Sequence, residues 1–384
     1  MPESSAKPTR APVPEEEHAS KFPMAQRLAG EAARNEEATL LRFFRFHDHL
    51  SALLQAAEQE RLHLIVLKGA ALAETVYPRP GLRPFGDLDV LVRPSEAVRA
   101  RALLESLGFV VDPVQWSALV SGDDCQANFF KDCPAGGDAP PAPVVVELHT
   151  DLINNDLLWG GMRVAASGIW ERTHTARLAG SAARVLGPED QLLHLCLHLA
   201  GHYLAAPQSL RDIHQVCGSC APDWPLFVRL AREARAAAAC FAGLFAAAAL
   251  LGTPIPPTVL DALAPRRGRH ILERGAVVRA SDVTQADTEH LRFPLLWLLL
   301  EGRRLRLAAL WRVLFPSPRW LAAHYYHDLF DDADPPAFPK HAGAGDRAPQ
   351  ARVLRALRRA HRSFLLRSAV RVFRHLWPSF PNHD

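Results

Sequence analysis

Cysteine is scarce: six in 384 residues, scattered along the chain, with Cys196 and Cys240 inside apolar, helix-like runs. That usage excludes a scaffold built from disulfides and predicts a reduced, cytoplasmic protein. Long apolar runs are missing as well. The longest uncharged one, "AAAACFAGLFAAAALL" from Ala236 to Leu251, is shorter than the roughly twenty residues of a membrane span. Its alanines make it only weakly hydrophobic, so it predicts a buried helix and no transmembrane segment. The first twenty residues carry no apolar core of the kind a signal peptide needs. Charge of one sign is lacking too. The 44 Lys+Arg against 41 Asp+Glu leave +3, which excludes a surface built throughout for nucleic acid but permits a local basic patch. No Walker A sequence, G-x-G-x-x-G or G-x-S-x-G elbow occurs. P-loop ATPase, dinucleotide dehydrogenase and serine hydrolase readings therefore have no signal.

What is there suits about two domains with a sizeable core. A Pro- and Glu-rich tail, 1–30, has the composition of disorder. Leu40, Leu41, Phe44, Leu50, Leu53 and Leu54 recur at helical spacing between Glu31 and Arg61. "LHLIVLKG" reads as a strand from Leu62 to Leu67 that ends at Gly69, and "AALAETVY" as a short helix closed by Pro78. A second strand runs from Asp87 to Val92; "PSEAVRARALLESLGF" is a helix with Ser95 as N-cap and Gly108 as its end. "CQANFFKD" and "VVVELHT" add two strands, which together predict a small mixed sheet covered by helices over 31–185. From Pro188 the pattern is helix after helix over 186–330. A linker, 331–350, and a basic amphipathic tail, 351–384, follow.

"GLRPFGDLDVLV" poses the chemical question, because Asp87 and Asp89 interrupt what is otherwise a buried apolar strand. Something must neutralise them, either a basic partner or a metal. Side chains two apart on a strand share a face, with backbones roughly 7 Å apart, and paired carboxylates suit hard divalent cations. Glu147 stands in the same kind of apolar context in "VVVELH". If its strand lies beside the first, three carboxylates converge, the arrangement that two-metal phosphoryl or nucleotidyl transfer uses. Gly69, where a strand gives way to a helix, would let backbone amides face an anion. Lys68 and Arg83 offer cations nearby.

The stretches "LKGAALAETVYPRPGLRPFGDLDVLV", "VELH", "PEDQLLHLCLHLAGH" and "LRDI" resemble the bacterial nucleotidyltransferase-like family with the Leu-Lys-Gly signature, in the DNA polymerase beta superfamily. The resemblance implies an α+β fold: a polymerase-beta-like core, a small mixed sheet with helices, followed by a mainly helical C-terminal domain. It implies Asp87, Asp89 and Glu147 as catalytic metal ligands for Mg2+, with Mn2+ as the alternative ion. Lys68, Gly69, Arg83 and His198 would bind the substrate, an NTP such as ATP. The activity implied is transfer of an NMP to an acceptor (small molecule, peptide, protein or RNA end) with release of pyrophosphate. The usual Gly-Ser turn reads Gly69-Ala70 here, so that step lacks a hydroxyl. A non-catalytic module that keeps the fold and binds nucleotide or a partner is the rival reading.

His194, His198 and His202 repeat every four residues on one helix face, and Cys217 and Cys220 form a lone C-x-x-C. Without a second half the motif is a weak zinc signal, and the histidines are expected to line the cleft between sheet and helical domain or to be packed and hydrogen-bonded. Arg211 and Asp212 read as an interdomain ion pair. In the tail, Arg352, Arg355, Arg359 and Arg362 share one helical side, which packs as a solvated helix or meets an anionic partner.

Overall fold

A computed structural model describes residues 21–122, 124–133, 143–153, 164, 166–281, 292–315, 321 and 347–376. The 1–20 tail and nearly all of the linker lie outside them. Within the described residues the chain is a mixed α+β protein. One sheet of seven strands, in the order β3-β4-β5-β2-β1-β7-β6, carries helices on both faces.

The strands are β1 (Leu64–Val66), β2 (Leu88–Val92), β3 (Val110–Val111), β4 (Gln126–Lys131), β5 (Val144–His149), β6 (His174–Leu178) and β7 (Ser181–Val185). β2 is buried along its whole length because it runs between β1, antiparallel, and β5, parallel. Its even residues Leu88, Val90 and Val92 join Val66, Phe129, Val146 and Leu148 in one apolar layer. Helices α2 (Glu36–Gln59) and α4 (Ala97–Ser106) cover that layer with Phe43, Phe46, Leu50, Leu53 and Leu104. The opposite face presents Ile65 and Leu91 to a second core, formed largely by α7 (Pro188–Gly201), α8 (Pro207–Ser219), α9 (Trp224–Glu233) and α10 (Ala237–Leu251). Asp89, Glu147 and His149 belong to this second face. The Ala-rich run is α10, and small side chains such as Gly243, set against Cys196 and Ile213, let it pack closely.

Several expectations need correcting. The chain is already helical over α1 (Pro23–Arg34), inside the stretch read as a tail. In α2 the inward residues are Phe43 and Phe46, while Leu41 and Phe44 are exposed, so the predicted stripe is out of phase in the first half. Ser95 is not an N-cap: it sits in a 3-10 turn, Pro94–Glu96, and Glu96 precedes α4. Three strands were missed. β3 is only two residues long. β6 and β7 form an edge hairpin of alanine and polar residues, and its turn, Ala179–Gly180, has positive φ at both positions.

The remaining helices are α3 (Lys68–Thr75), α5 (Pro113–Ser121), α6 (Ala166–Glu171), α11 (Pro257–Leu263), α12 (Arg269–Ser281), α13 (Arg292–Leu299), α14 (Arg303–Leu314) and α15 (Arg347–Leu376). α15 is the basic tail; it begins before residue 351, buries Leu357 and His361, and leaves Arg352, Arg355, Arg358, Arg359 and Arg362 exposed. No helix among the described residues is long and apolar enough to cross a membrane.

One buried network fastens the helical half to the sheet half. Arg83, in the loop before β2, donates from Nε and Nη2 to the two carboxylate oxygens of Asp212 on α8, at 2.8 and 2.7 Å. The Tyr77 hydroxyl donates to Asp212 at 2.7 Å, and the Gln208 amide bonds both Tyr77 and Asp212. Asp212 thus pairs with Arg83 rather than with its neighbour. Arg211 instead donates to the Leu82 carbonyl and lies over the Tyr77 ring. Removing one member of a buried ion pair strands the other charge. Asp212→Ala is therefore expected to lose about 3–5 kcal/mol of stability. Urea denaturation of wild type and variant checks this, with Arg83→Met/Asp212→Leu expected to recover much of the loss.

Candidate active site

The site begins where β1 ends. The Leu67 amide donates to the Asp89 carbonyl at 2.9 Å, which sets the start of α3 beside the middle of β2. Lys68 is the first residue of that helix and has φ +40, a conformation that costs a non-glycine residue about 1–2 kcal/mol. From there its ammonium reaches Asp89 Oδ1 at 2.6 Å and Glu147 Oε2 at 3.9 Å. Both members of the Lys68–Asp89 pair are buried. Parallel pairing sets Asp89 beside Glu147 and Leu91 beside His149. His149 Nε2 lies 3.0 Å from Asp89 Oδ1 and 3.5 Å from Glu147 Oε2.

The electrostatics follow from this packing. Burial disfavours the Asp89 carboxylate, but Lys68 and the His149 bond together hold its pKa well below the usual carboxylate range. Burial likewise opposes charge on Lys68 and on His149, yet the carboxylates raise both. Asp87 differs. It stands just before β2, lines the same cavity, and is raised to about 6 by burial and then by the charges of Asp89 and Glu147. His194, on the facing helix α7, is lowered to about 3 by burial, with Lys68 the next cause.

The cavity has a volume of about 410 Å³. Its floor is Lys68, Asp89 and Glu147, its rim holds Asp87, Gly86, Gln126 and Arg83, and its roof is His198 of α7, His202 just past that helix, and Gln208 and Ser209 of α8. The structure thus brings every sequence-predicted site residue to one cavity: Asp87, Asp89, Glu147, Lys68, Gly69, Arg83 and His198. Two of them do something other than wait for phosphate. Arg83 is already committed to Asp212 and to the Pro84 carbonyl. Gly69 is a packing requirement, because a Cβ there would lie 2.5 Å from the Phe85 Cβ.

His149 is the residue that sequence reasoning missed. Its signal was present, since it stands two positions after Glu147 on a strand and so shares its face. Of the three histidines, His198 on α7 and His202 just past its end line the cleft, whereas His194 is buried beneath them and does not. His194 and His198 stack at 6.3 Å, and His198 meets His202 edge-on at 4.5 Å. Cys217 and Cys220 are free thiols.

The donor set suits a divalent cation. Ligand atoms of Asp89, Glu147 and His149 all lie within 4.8 Å of one another, the one such group among the described residues. Buried acceptors without a hydrogen-bond partner stand on the adjacent strand: Gln126 Oε1 across from His149 and Asn128 Oδ1 across from Glu147. Oxygen-rich surroundings of this kind favour a hard or borderline ion and its water shell.

Residues 16–252 match a protein family described as "Uncharacterised nucleotidyltransferase". The chain belongs to that nucleotidyltransferase family. The match covers the whole sheet and the helices α7 and α8 that roof the cavity, so the candidate site lies inside the family region. No curated protein and no solved structure matched the chain.

The raised Asp87 gives this nucleotidyltransferase family member a pH dependence with a definite sign. Folded Asp87 holds its proton to about pH 6, whereas the unfolded group releases it near 3.8. The native state therefore binds more protons between those values, and stability falls as pH rises through that window. Screening at a partly exposed site limits the effect to on the order of 1–2 kcal/mol. Asp87→Asn should flatten this fall in metal-free thermal melts between pH 4 and 7, leaving the variant more stable than wild type at pH 7.

Proposed function

We propose that this chain is a divalent-metal-dependent nucleotidyltransferase. It moves an NMP from an NTP to an acceptor and releases pyrophosphate, on a polymerase-beta-like core. The observation that carries the reading is the pairing of Asp89 with Glu147 across adjacent parallel strands, at the floor of a cavity that Asp87 also lines. Asp87, Asp89 and Glu147, with His149 as a further donor, would hold Mg2+ or Mn2+. When bound, the metal supplies Lewis-acid stabilisation of the phosphoryl oxygens and of the attacking and leaving oxygens.

The protein's own groups do the rest. The α3 amino terminus and the Lys68 ammonium present positive potential to a triphosphate entering the cavity. Glu147, at the edge of the acidic floor and less buried than Asp89, is placed to align the acceptor and take its hydroxyl proton. His198, His202, Gln208 and Ser209 shape the opposite wall and orient whatever lies between the floor and the roof. A new bond forms between the acceptor oxygen and the α-phosphorus, and the bond to pyrophosphate breaks. Six free thiols fit a cytoplasmic, reduced setting.

The rival reading, a binding module that keeps the fold without the chemistry, draws on one observation. Residue 70 is a buried alanine, where the pattern of the resembled superfamily has a serine. Both readings are tested by incubating the protein with Mg2+, mixed NTPs and cell extract and measuring pyrophosphate. Wild type is expected to release it. Asp89→Asn should reduce the rate by at least about a hundredfold, and Glu147→Gln by at least about tenfold. A wild type that binds NTP and releases nothing would establish the module instead.

The exposed arginines of α15 support a further part of the proposal, an anionic partner for the tail. Sequence 347–384 contains a single acidic residue, Asp384. Deleting those residues should leave NTP affinity unchanged and weaken binding to an anionic polymer such as heparin. The difference should be largest at low salt, where screening is least.

A further inference from the structure

Lys68 has a place in this site that triphosphate binding does not explain. Its ammonium lies 2.6 Å from Asp89 Oδ1 and 3.9 Å from Glu147 Oε2, and so occupies two members of the group of ligand residues that suits a divalent ion. The side chain is 7 % exposed, its backbone is in the left-handed region, and its polar partners are the same two carboxylates that a metal would need. A residue held in such a conformation against its own preference marks a position that the surrounding structure enforces.

We propose that Lys68 is a built-in counter-cation that competes with the divalent ion for Asp89 and Glu147. This deepens, and rests on, the reading of the cluster as a metal-dependent transfer site. Two cations cannot share one carboxylate oxygen at close range inside a protein without strong mutual repulsion. The ammonium therefore leaves Asp89 when the metal enters. It has somewhere to go, because Lys68 also lines the cavity, where an anionic substrate would receive it. Lys68 is then a positioning residue. With the site empty it keeps the buried Asp89 carboxylate neutralised and the sheet intact, and it withholds Asp89 and Glu147 from free metal. Metal and anion binding become coupled through one side chain, since each favours the same displaced lysine.

The test uses full-length protein and Mn2+ alone, followed by electron paramagnetic resonance of free Mn2+ and by thermal melts with and without the ion. Lys68→Met removes the competing charge and is expected to bind Mn2+ about tenfold more tightly than wild type, or better. Lys68→Gln, which can still hydrogen-bond Asp89, covers the case in which the methionine variant fails to fold, and should show the same gain. Lys68→Arg keeps a cation on Asp89 and should bind no better than wild type. Without metal, the neutral variants should melt below wild type, and Mn2+ should raise their midpoints by more. Equal or weaker Mn2+ binding by the neutral variants would overturn the inference, as would an arginine variant that gains affinity like the methionine one. So would an absence of binding in every variant. Pyrophosphate release is not among the readouts: a failure of transfer would leave the Mn2+ comparison standing, and a failure of the Mn2+ comparison would leave the transfer assay to be judged by itself.

Discussion

A carboxylate in the interior of a sheet must be neutralised, and much of this structure is arranged around that requirement at Asp89. The end of β1, the strained first residue of α3 and the parallel alignment of β5 together bring two charge partners, Lys68 and His149, to the same oxygen, Asp89 Oδ1. An unpaired buried carboxylate would cost several kcal/mol, a large share of a domain's net stability. The chemistry and the fold therefore share their most sensitive point. A change that disarms the site by removing Lys68 or His149 also removes a counter-charge from the core.

The second fixed point is Asp212, whose two oxygens receive Arg83, Tyr77 and Gln208. It lies outside the acidic floor, yet it holds the loop that leads into Asp87 and the helix that forms the opposite wall. Floor and roof of the cavity are registered to each other through this side chain. The helical half is thus part of the site's construction as well as its cover.

What could be read from the chain alone depended on whether a signal was local. The D-x-D strand, the isolated Glu147, the Lys-Gly step and the helical second half are each visible within a few residues. They survive as β2, β5, the α3 start and α7 onward. Relationships between distant segments were legible only in part. The adjacency of β2 and β5 could be posed as a condition, but its register, which makes Asp89 and Glu147 neighbours, depends on long-range pairing. The partner of Asp212 was misread because the nearest arginine in sequence points elsewhere, to the Leu82 carbonyl. The β6–β7 hairpin escaped because its strands carry one β-branched residue each, Thr175 and Val185, and no Phe, Tyr or Trp, too weak a pattern to announce a strand. At Gly69 the structure adds a reason that the local sequence does not carry: its missing side chain makes room for Phe85, sixteen residues further on.

The division of β2 into a chemical face and an apolar face has a consequence for how the protein tolerates length changes. Its side chains alternate, so a slip of one residue against β5 would turn Asp89 into the layer of Val66, Phe129 and Leu148 and bring Leu88 and Val90 to the cavity. No partial version of that error is stable, because it strands a charge in one core and exposes apolar surface in the other. Single-residue insertions or deletions within 83–87 should therefore be among the least tolerated changes in the chain. The strand's alternation works as a proofreading device: only one alignment both folds and assembles the acidic floor.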